Sequence, residues 1–363
     1  MPGPDQGHVV EALEAFWSGP VGRGCRVGLD RPDGPLGDLD RVAVSARVPG
    51  VDTAVGLRWA WRDVFTRAWY PQGITTSADS GRCTSPVVVV SWYAPRTRAG
   101  RDRGARLSVL DLSDPSRVRY RHVLLVRAVR DEVRAGPRLE PVRIHAGGLA
   151  WYGDLVYIAA TLGGLRVFDL RDLMRVPTGE QAAVFGYRYV LPERSTYSAR
   201  LPPPASDLRR TGRSSDRTVG NPTPMRYSFV SVDRTSTPHC LVAGEYTRGD
   251  VPARIVRLAL DEVTGQLSTQ PDGRVTPSYV VTVPVLGLQG IASVDGGYLG
   301  STSAGPWRRG DLWLGHPRSG LQRRRRTLPV GPEDVAVDID RGLLWSLTEW
   351  PGRRYVFALP LPR

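Results

Sequence analysis

Four carboxylates and one imidazole in this sequence are candidates for acid/base chemistry. They are Glu245, Glu333, Asp334, Glu349 and His145. Carboxylates in different environments hold different pKa values, so one can donate a proton while another accepts it. Histidine titrates near neutral pH and can act in either direction. We expect these residues to form a catalytic set if the fold brings them together.

A second group of residues has the types that hold a small organic molecule. Aromatic side chains pack against rings and sugars, and amide side chains fix the orientation of a ligand through hydrogen bonds. Residues of these types lie close in sequence to the carboxylates or at equivalent repeat positions, and we expect them to bind substrate: Tyr70, Gln72, Trp92, Tyr93, Tyr227, Gln289 and Trp350.

The acid/base candidates also have structural interpretations. Asp334 could bind a cation, exchange protons, or accept backbone N–H groups from neighbouring strands. His145 could be a structural or surface histidine. Glu349 lies close in sequence to Arg353 and Arg354, and an ion pair would explain it without chemistry. The sequence leaves these alternatives open.

The elements that position these residues are indicated by a short pattern that occurs five times. Its copies begin at Gln72, Gly147, Tyr227, Gln289 and Glu333, and strand-like runs separated by turns follow each copy. Strands repeated in a fixed order are typical of a β-propeller. We therefore predict an all-β fold, a five-bladed β-propeller with four antiparallel strands in a complete blade.

The fifth repeat has only three strands, so another part of the chain should complete it. We predict that the ring is closed by an N-terminal strand at residues 41–48, which would remove two exposed sheet edges. Residues 8–17 have apolar side chains at helical spacing and predict a short N-terminal helix. We assign residues 1–37 to this helix and an extension, and residues 38–363 to a single propeller.

Long insertions fall on loops that border one face of the predicted propeller. The start of each inner strand and the end of each second strand lie on that face, and insertions there include residues 127–144, after the first repeat, and residues 193–226. Elaborated loops on one face of a rigid scaffold usually carry binding function. The Pro-, Arg- and Ser-rich part of this insertion is either a lid or a disordered excursion.

The charge and apolar content of the sequence argue against nucleic acid and membranes as partners. The formal net charge is +13, but all 49 basic residues are arginine, which indicates coding bias in a GC-rich genome. The run Arg323–Arg326 overlaps residues 325–330, which we predict to be the outer strand of the fourth repeat. We interpret this run as a strand edge protected by charge, not as a nucleic-acid groove. No run of about 18 apolar residues exists, so we expect no membrane partner. Without a secretory signal, we expect a cytoplasmic location, and a trimmed secreted form is the alternative.

Cofactor motifs are not evident in the sequence. There is no P-loop, dinucleotide fingerprint or zinc-protease motif, and the three cysteines lack zinc spacing or a disulfide framework. We expect no cofactor, and we leave open a structural cation in the central channel.

Several phrases resemble a family of actinobacterial propeller-like proteins for which no activity is established. They lie at residues 69–73, 89–93, 145–148, 163–170, 331–334 and 351–355, and the resemblance extends from about Trp69 onward. It implies a five-bladed propeller and a bacterial origin. Many members look exported, whereas this sequence shows no such leader. Five-bladed propellers more broadly include glycosidases and lectins, an analogy of fold alone.

These observations together predict an enzyme that processes a small molecule. We expect acid/base chemistry without a redox cofactor, as in a natural-product cyclase, lyase or hydrolase. The alternative is a non-catalytic binding or scaffold propeller that recognises a protein or glycan. Such a module should have similar pockets in several blades, whereas the first positions of the five copies are Gln, Gly, Tyr, Gln and Glu.

Overall fold

A computed structural model describes residues 6–19, 22–96, 103–131, 136–201, 223–248 and 251–362. The structure is mostly β, which confirms the predicted all-β class. The strands in the first half of the chain are β1 (Arg41–Val42), β2 (Val44–Ser45), β3 (Val55–Arg58), β4 (Tyr70–Thr76), β5 (Val87–Tyr93), β6 (Ala105–Asp111), β7 (Arg119–Asp131), β8 (Gly136–Pro141), β9 (Leu149–Tyr152), β10 (Leu155–Ala159), β11 (Leu165–Asp169), β12 (Met174–Arg175) and β13 (Tyr189–Tyr197).

The strands continue through the second half at similar spacing. They are β14 (Arg200–Leu201), β15 (Thr223–Pro224), β16 (Tyr227–Asp233), β17 (Cys240–Glu245), β18 (Ala253–Ala259), β19 (Tyr279–Val283), β20 (Leu288–Val294), β21 (Gly297–Thr302), β22 (Asp311–His316), β23 (Gly320–Arg324), β24 (Pro332–Asp338), β25 (Leu343–Thr348) and β26 (Tyr355–Pro360).

Helices are few and short. They are α1 (Gln6–Ser18), α2 (Trp61–Phe65) and α3 (Ser77–Ser80), with 3-10 turns at Leu170–Asp172 and Thr178–Val184. Helix α1 agrees with the helix predicted at residues 8–17, and it packs against β7, β8 and β13. Among the described residues, no helix has the length and apolar character needed to cross a membrane.

Each sequence repeat supplies its first three strands to an antiparallel array in chain order. The arrays are β4-β5-β6, β9-β10-β11, β16-β17-β18, β20-β21-β22 and β24-β25-β26. Strands β7, β13, β19 and β23 each add a fourth strand, and β7 also pairs with β13 in parallel. The first strands β4, β9, β16, β20 and β24 contact one another in cyclic order.

The hydrophobic core lies between neighbouring arrays. One buried cluster joins β9–β11 to β16–β18, and the next joins β16–β18 to β20 and β21. Others join β20–β22 to β24–β26, and β24–β26 to β4 and β5. A further cluster joins β5–β7 to β9–β13. Each array therefore buries both faces, which explains why the β5 run Val87–Val90 has no polar alternation.

The first strands approach one another so closely that only small residues fit at the second position of the pattern. A Cβ added to Gly73 would lie 2.6 Å from the carbonyl oxygen of Gly147, and one added to Gly148 would lie 2.2 Å from the backbone nitrogen of Val230. A Cβ on Gly290 would lie 2.6 Å from Oδ1 of Asp334. This crowding accounts for the small residue in four of the five copies.

Two predicted strand positions are wrong. The strand paired with β26 is β3, whereas residues 41–48 supply β1, which pairs with β7, and β2, which lies outside β3. Leu57 of β3 is buried while Val44 is exposed, so burial favours β3 next to β26. The fourth strand of the fourth repeat is β23 and not residues 325–330, because the backbone of Arg326 turns to donate to Asp311.

Two predicted insertions contain regular structure. Strand β7 continues to Asp131 and forms a hairpin with β8 inside the insertion predicted after the first repeat. Strand β13 extends through the first residues of the insertion at 193–226, and β14 pairs with β15 at its base. Residues 202–222, where we predicted either a lid or a disordered excursion, lie outside the described residues.

Candidate functional site

A cavity of about 950 Å³ lies where the first strands begin and the second strands end. Seven of the twelve predicted site residues line it: Gln72, Tyr93, His145, Gln289, Glu333, Glu349 and Trp350. Its other lining residues are Gly147, Thr161, Arg226, Ser228, Tyr246, Thr247, Arg248 and Val251. The structure thus brings side chains from all five repeats to a common space.

Local irregularities in the first strands direct side chains into this cavity. Strands β4, β16, β20 and β24 each shift register at or next to the repeated pattern. In β24, Pro332 is opposite Thr348 and the next paired residue is Val335, so Glu333 and Asp334 occupy the bulge. Bulges often re-aim side chains next to functional sites.

Glu333 and Glu349 form a hydrogen-bonded pair of carboxyl groups in the cavity wall. Glu333 is buried, and burial together with the negative charge of Glu349 raises its pKa well above the ordinary value. Burial also raises the pKa of Glu349, while the hydrogen bond from Glu333 opposes that rise. Glu333 is therefore the protonated partner, and its O–H donates to the Glu349 carboxylate.

Two neighbours hold Glu349 in place. The Nε2 of Gln72 donates to its Oε2 at 3.2 Å. The Nε of Arg354 donates at 2.7 Å to the main-chain oxygen of Glu349, not to its carboxylate. Within the described part of the chain, no arginine forms a salt bridge with that carboxylate, so the ion-pair interpretation of Glu349 is not supported. The carboxylate interacts with Gln72 and Glu333, and the nearby positive charge of Arg354 also acts to lower its pKa.

Arg354 connects the carboxyl pair to a buried polar network that sequence reasoning missed. Its guanidinium is fully buried, also donates to the main-chain oxygen of Asp63 at 2.8 Å, and has a pKa lowered by burial to about 10. The Asp63 carboxylate accepts hydrogen bonds from Tyr120 at 2.7 Å and Arg106 at 3.0 Å. His122 lies 3.2 Å from the same carboxylate.

The same network contains a serine, a histidine and an aspartate in hydrogen-bond contact. His122 Nδ1 lies 2.8 Å from Ser108 Oγ, which also accepts a 2.7 Å hydrogen bond from Trp92 Nε1. Ser108 has no exposed surface, and burial lowers the pKa of His122 to about 3. A buried serine cannot reach a substrate, so this group links α2 to the first array and serves the fold.

Asp334 does not line the cavity and instead lies among the first strands. Its Oδ2 accepts the backbone N–H groups of Ile74 at 3.2 Å and Leu149 at 3.0 Å, which belong to β4 and β9. Burial raises its pKa well above the ordinary value despite these hydrogen bonds. This geometry favours the third interpretation of Asp334, an acceptor of backbone groups from neighbouring repeats.

His145 and Tyr93 form an aromatic wall of the cavity. Their ring centroids are 4.2 Å apart at an interplanar angle of 48°, and the Tyr70 ring lies 5.8 Å from Tyr93 on the other side. Partial desolvation lowers the pKa of the His145 imidazole, so the neutral form is favoured at neutral pH. Burial and the nearby glutamates raise the pKa of Tyr93 to about 12.

Besides Asp334, four predicted site residues do not reach the cavity. Glu245 uses both carboxylate oxygens in hydrogen bonds at 2.7 and 2.8 Å to the buried Arg254, so it holds an ion pair instead of facing a ligand. Trp92 and Tyr227 are buried in the core. Tyr70 packs under the buried Arg354 guanidinium, 5.0 Å from its ring centroid. None of these four side chains lines the cavity, and their contact with a ligand stays a prediction.

Arginines around the cavity were not predicted. Arg226 and Arg248 line it, and both are exposed. Arg226 directly precedes the third copy of the pattern, where the side chain of Tyr227 turns into the core. Proximity to the repeated pattern was the available signal, but the abundance of arginine throughout the chain obscured it.

The side chains of His, Cys, Asp and Glu are the ones that could hold a metal ion. In the described ranges, no three such residues are grouped as a metal ion would require. Asp334 is the residue for which a cation was left open, and its Oδ2 is already occupied by two backbone donors.

Comparisons with known proteins identify only distant structural likenesses. No protein-family model and no curated protein matches the sequence. A glutaminyl cyclase from Myxococcus xanthus is 15% identical, with 88% of this chain and 97% of that chain covered and a TM-score of 0.37. A GH43_1 enzyme from Xanthomonas citri is 13% identical, with 81% and 88% covered and a TM-score of 0.42. These values transfer no residue role, and membership of the actinobacterial family stays a prediction.

Proposed function

We propose that this protein is an enzyme that converts a small polar organic molecule by acid/base chemistry at Glu333 and Glu349. The observation that carries the proposal is a hydrogen-bonded carboxylic acid and carboxylate in the wall of a cavity of about 950 Å³. Cavities of this size accommodate metabolite-sized ligands. Perturbed carboxyl groups in a cavity are more frequent at functional sites than elsewhere.

The proposal includes a five-bladed propeller as the scaffold. Five arrays of strands, first strands in cyclic contact and a core between each neighbouring pair support this description. The pairing of β3 with β26 supports closure of the ring by the N-terminal part of the chain. In such a ring the cavity would be the funnel mouth, which explains why every repeat contributes to it.

The pair can move a proton in both directions during one reaction. Glu349, as carboxylate, accepts a proton from a substrate group or a water molecule that then attacks. Glu333, as acid, donates its proton to the leaving group or to the developing oxyanion. The hydrogen bond between them then returns the proton from Glu349 to Glu333 and restores the starting state. Cyclisation, elimination and hydrolysis can all proceed with one proton accepted by Glu349 and one donated by Glu333, as in a natural-product cyclase, lyase or hydrolase.

The contact between the two carboxyl groups argues against glycosidase chemistry. Glycosidases hold their carboxyl groups at least about 5 Å apart, to leave room for the sugar or for a water molecule. A shared proton instead resembles carboxyl dyads, in which one group stays protonated because both cannot ionise together. The proposed pair is therefore one acid/base unit and not two groups on opposite faces of a substrate.

Asymmetry of the cavity favours an enzyme over a multivalent binding module. Only the fifth repeat places a carboxyl group at the first position of the pattern, and the equivalent lining residues are Gln72, Gly147 and Gln289. A propeller that recognises a protein or glycan through repeated pockets would present similar groups in several repeats. The non-catalytic alternative is retained as an outcome of the test below.

The test is conversion of metabolites by the purified protein. Host extract is incubated with wild type, Glu333→Gln, Glu349→Gln and the matched control Glu180→Gln, whose side chain is exposed on a 3-10 turn. Untargeted mass spectrometry should reveal a compound that wild type and control convert. The two cavity variants should convert it about 10²- to 10⁴-fold more slowly. Equal conversion by all four proteins would contradict the proposal, and retention of a compound without conversion would favour a binding module.

A further inference from the structure

A second depression adjoins the main cavity. It has a volume of about 410 Å³ and shares Tyr93, His145 and Thr161 with the main cavity. We call it the arginine groove because Arg96, Arg143 and Arg166 also line it. Tyr93 and His145 therefore line both spaces, and of the two only the main cavity is also lined by the carboxyl groups of Glu333 and Glu349.

The described lining of the arginine groove carries cations and no carboxylate. Arg143 is exposed, and within the described part of the chain it forms no salt bridge. Arg166 is held in place by the buried Glu193, whose Oε1 lies 2.5 Å from its Nη1. This ion pair uses one edge of the guanidinium and fixes its orientation.

A glycine leaves space beside the other edge of that guanidinium. A Cβ added to Gly163 would lie 3.4 Å from Nη2 of Arg166 and 3.0 Å from the carbonyl oxygen of Ala160. A side chain longer than a methyl group at this position would occupy the space next to Nη2 of Arg166. The N–H groups of Arg166 therefore line the arginine groove, and Arg143 lines it as well.

Guanidinium groups recognise phosphate and carboxylate through charge and paired N–H donors. The main cavity is unsuited to such groups near the carboxyl pair, because the Glu349 carboxylate would repel an anion there. An anionic group would therefore be drawn to the groove and away from Glu349. The two spaces fit opposite ends of one ligand.

We propose that the arginine groove is an anion subsite that holds a phosphate or carboxylate group of the substrate while the reacting part lies against Glu333 and Glu349. This inference rests on the proposed function and deepens it, because it names the substrate class: a small molecule with an anionic group at one end. Tyr93 and His145 would contact the segment between the two ends.

The inference is tested by binding, without turnover. Isothermal titration calorimetry at low ionic strength measures Kd for two probes, phenyl phosphate and benzoate. Wild type should bind at least one of them, and binding should weaken as salt is added. The probe that binds more tightly distinguishes a phosphate group from a carboxylate.

Variants locate the binding site of the probe. Arg143→Gln should weaken binding about tenfold or more, since it removes a charge-assisted hydrogen bond. Arg117→Gln, an exposed arginine in the β6–β7 turn, should bind like wild type. Arg166→Gln should also weaken binding, with circular dichroism to confirm its fold. Binding by neither probe, or loss of binding in Arg226→Gln but not in Arg143→Gln, would overturn the proposal.

Failure of this inference and failure of the proposed function give different results. Glu180→Gln should bind the probes as tightly as wild type, because Glu180 lines neither the arginine groove nor the main cavity. If metabolite conversion depends on Glu333 while neither probe binds, only the anion subsite is wrong. If a probe binds through Arg143 but no compound is converted, the anion subsite stands and the catalytic proposal fails.

Discussion

Replacement of Glu333 by glutamine should change how the stability of the protein depends on pH. In the folded protein, burial and Glu349 raise the pKa of Glu333 well above its ordinary value of 4.5. In the unfolded chain the carboxyl group titrates normally. Between the ordinary and the raised pKa, the folded state therefore holds one proton that the unfolded state releases.

The difference in bound protons between the folded and unfolded states sets the sign and size of the change in the free energy of unfolding with pH. Because the folded state binds more protons, raising the pH through this window lowers the free energy of unfolding. One proton corresponds to about 1.4 kcal/mol per pH unit. Glutamine keeps the shape and can donate an N–H to Glu349 without titrating, so Glu333→Gln should lose this slope. Relative to wild type, the variant should gain about 1.4 kcal/mol for each unit of pH above the ordinary pKa.

Urea denaturation at several pH values and constant ionic strength measures this slope. The free energy of unfolding of wild type, Glu333→Gln and Glu180→Gln is compared from about pH 5 to pH 8. Glu180 is exposed, so its variant should run parallel to wild type. If Glu333→Gln also runs parallel to wild type, Glu333 is ionised in the folded state and the assignment of acid and base is refuted.

Three further predictions concern the contacts that hold the first strands and α2. Gly147→Ala should lower stability by about 1–3 kcal/mol, since its Cβ would overlap a neighbouring carbonyl, whereas Gly179→Ala, with nothing within 4 Å, should be near neutral in thermal denaturation. Asp334→Ala should cost about 1–3 kcal/mol for each of two backbone N–H groups left without an acceptor, and Asp334→Asn should cost less in urea denaturation. Asp63→Ala should cost about 3–5 kcal/mol, because buried cations lose their carboxylate.

The order of the strands was predictable because it follows from local repetition. First positions of four of the five copies line the cavity: Gln72, Gly147, Gln289 and Glu333. Tyr227 is the exception, because its side chain packs into the core between the second and third arrays. The closing strand was harder to place, since pairing between residues far apart in sequence leaves no local pattern.

Strand alternation decided which of two adjacent candidates reaches the cavity. Trp92 is buried while Tyr93 lines the cavity, and Glu245 binds Arg254 while Tyr246 lines the cavity. Successive side chains on a strand point to opposite faces, so only one of each pair could face a ligand. Residue type alone did not select it, because both faces of these strands are in contact with protein or cavity.

The other contacts of the candidate site, which involve residues far apart in sequence or main-chain atoms, could not be predicted. Arg354 donates hydrogen bonds to the main-chain oxygens of Glu349 and Asp63. Every residue type has a main-chain oxygen, so such a contact cannot be predicted from the type of the partner residue. The sequence suggested an ion pair between Arg354 and the Glu349 side chain. Three-dimensional structure was needed to show that the carboxylate remains in contact with Gln72 and Glu333.

The pairing of β3 with β26 has a consequence for how the chain is made. Arg58 lies opposite Tyr355, so about 300 residues separate the two partners. During translation, Val55–Arg58 (β3) is made long before Tyr355–Pro360 (β26). Until β26 has been made, the edge of β3 that will pair with it has unpaired backbone N–H and C=O groups. Such late, long-range pairing slows folding and leaves edges open to association with other nascent chains. A chaperone that covers this edge until the last repeat has been made should therefore raise the yield of native protein.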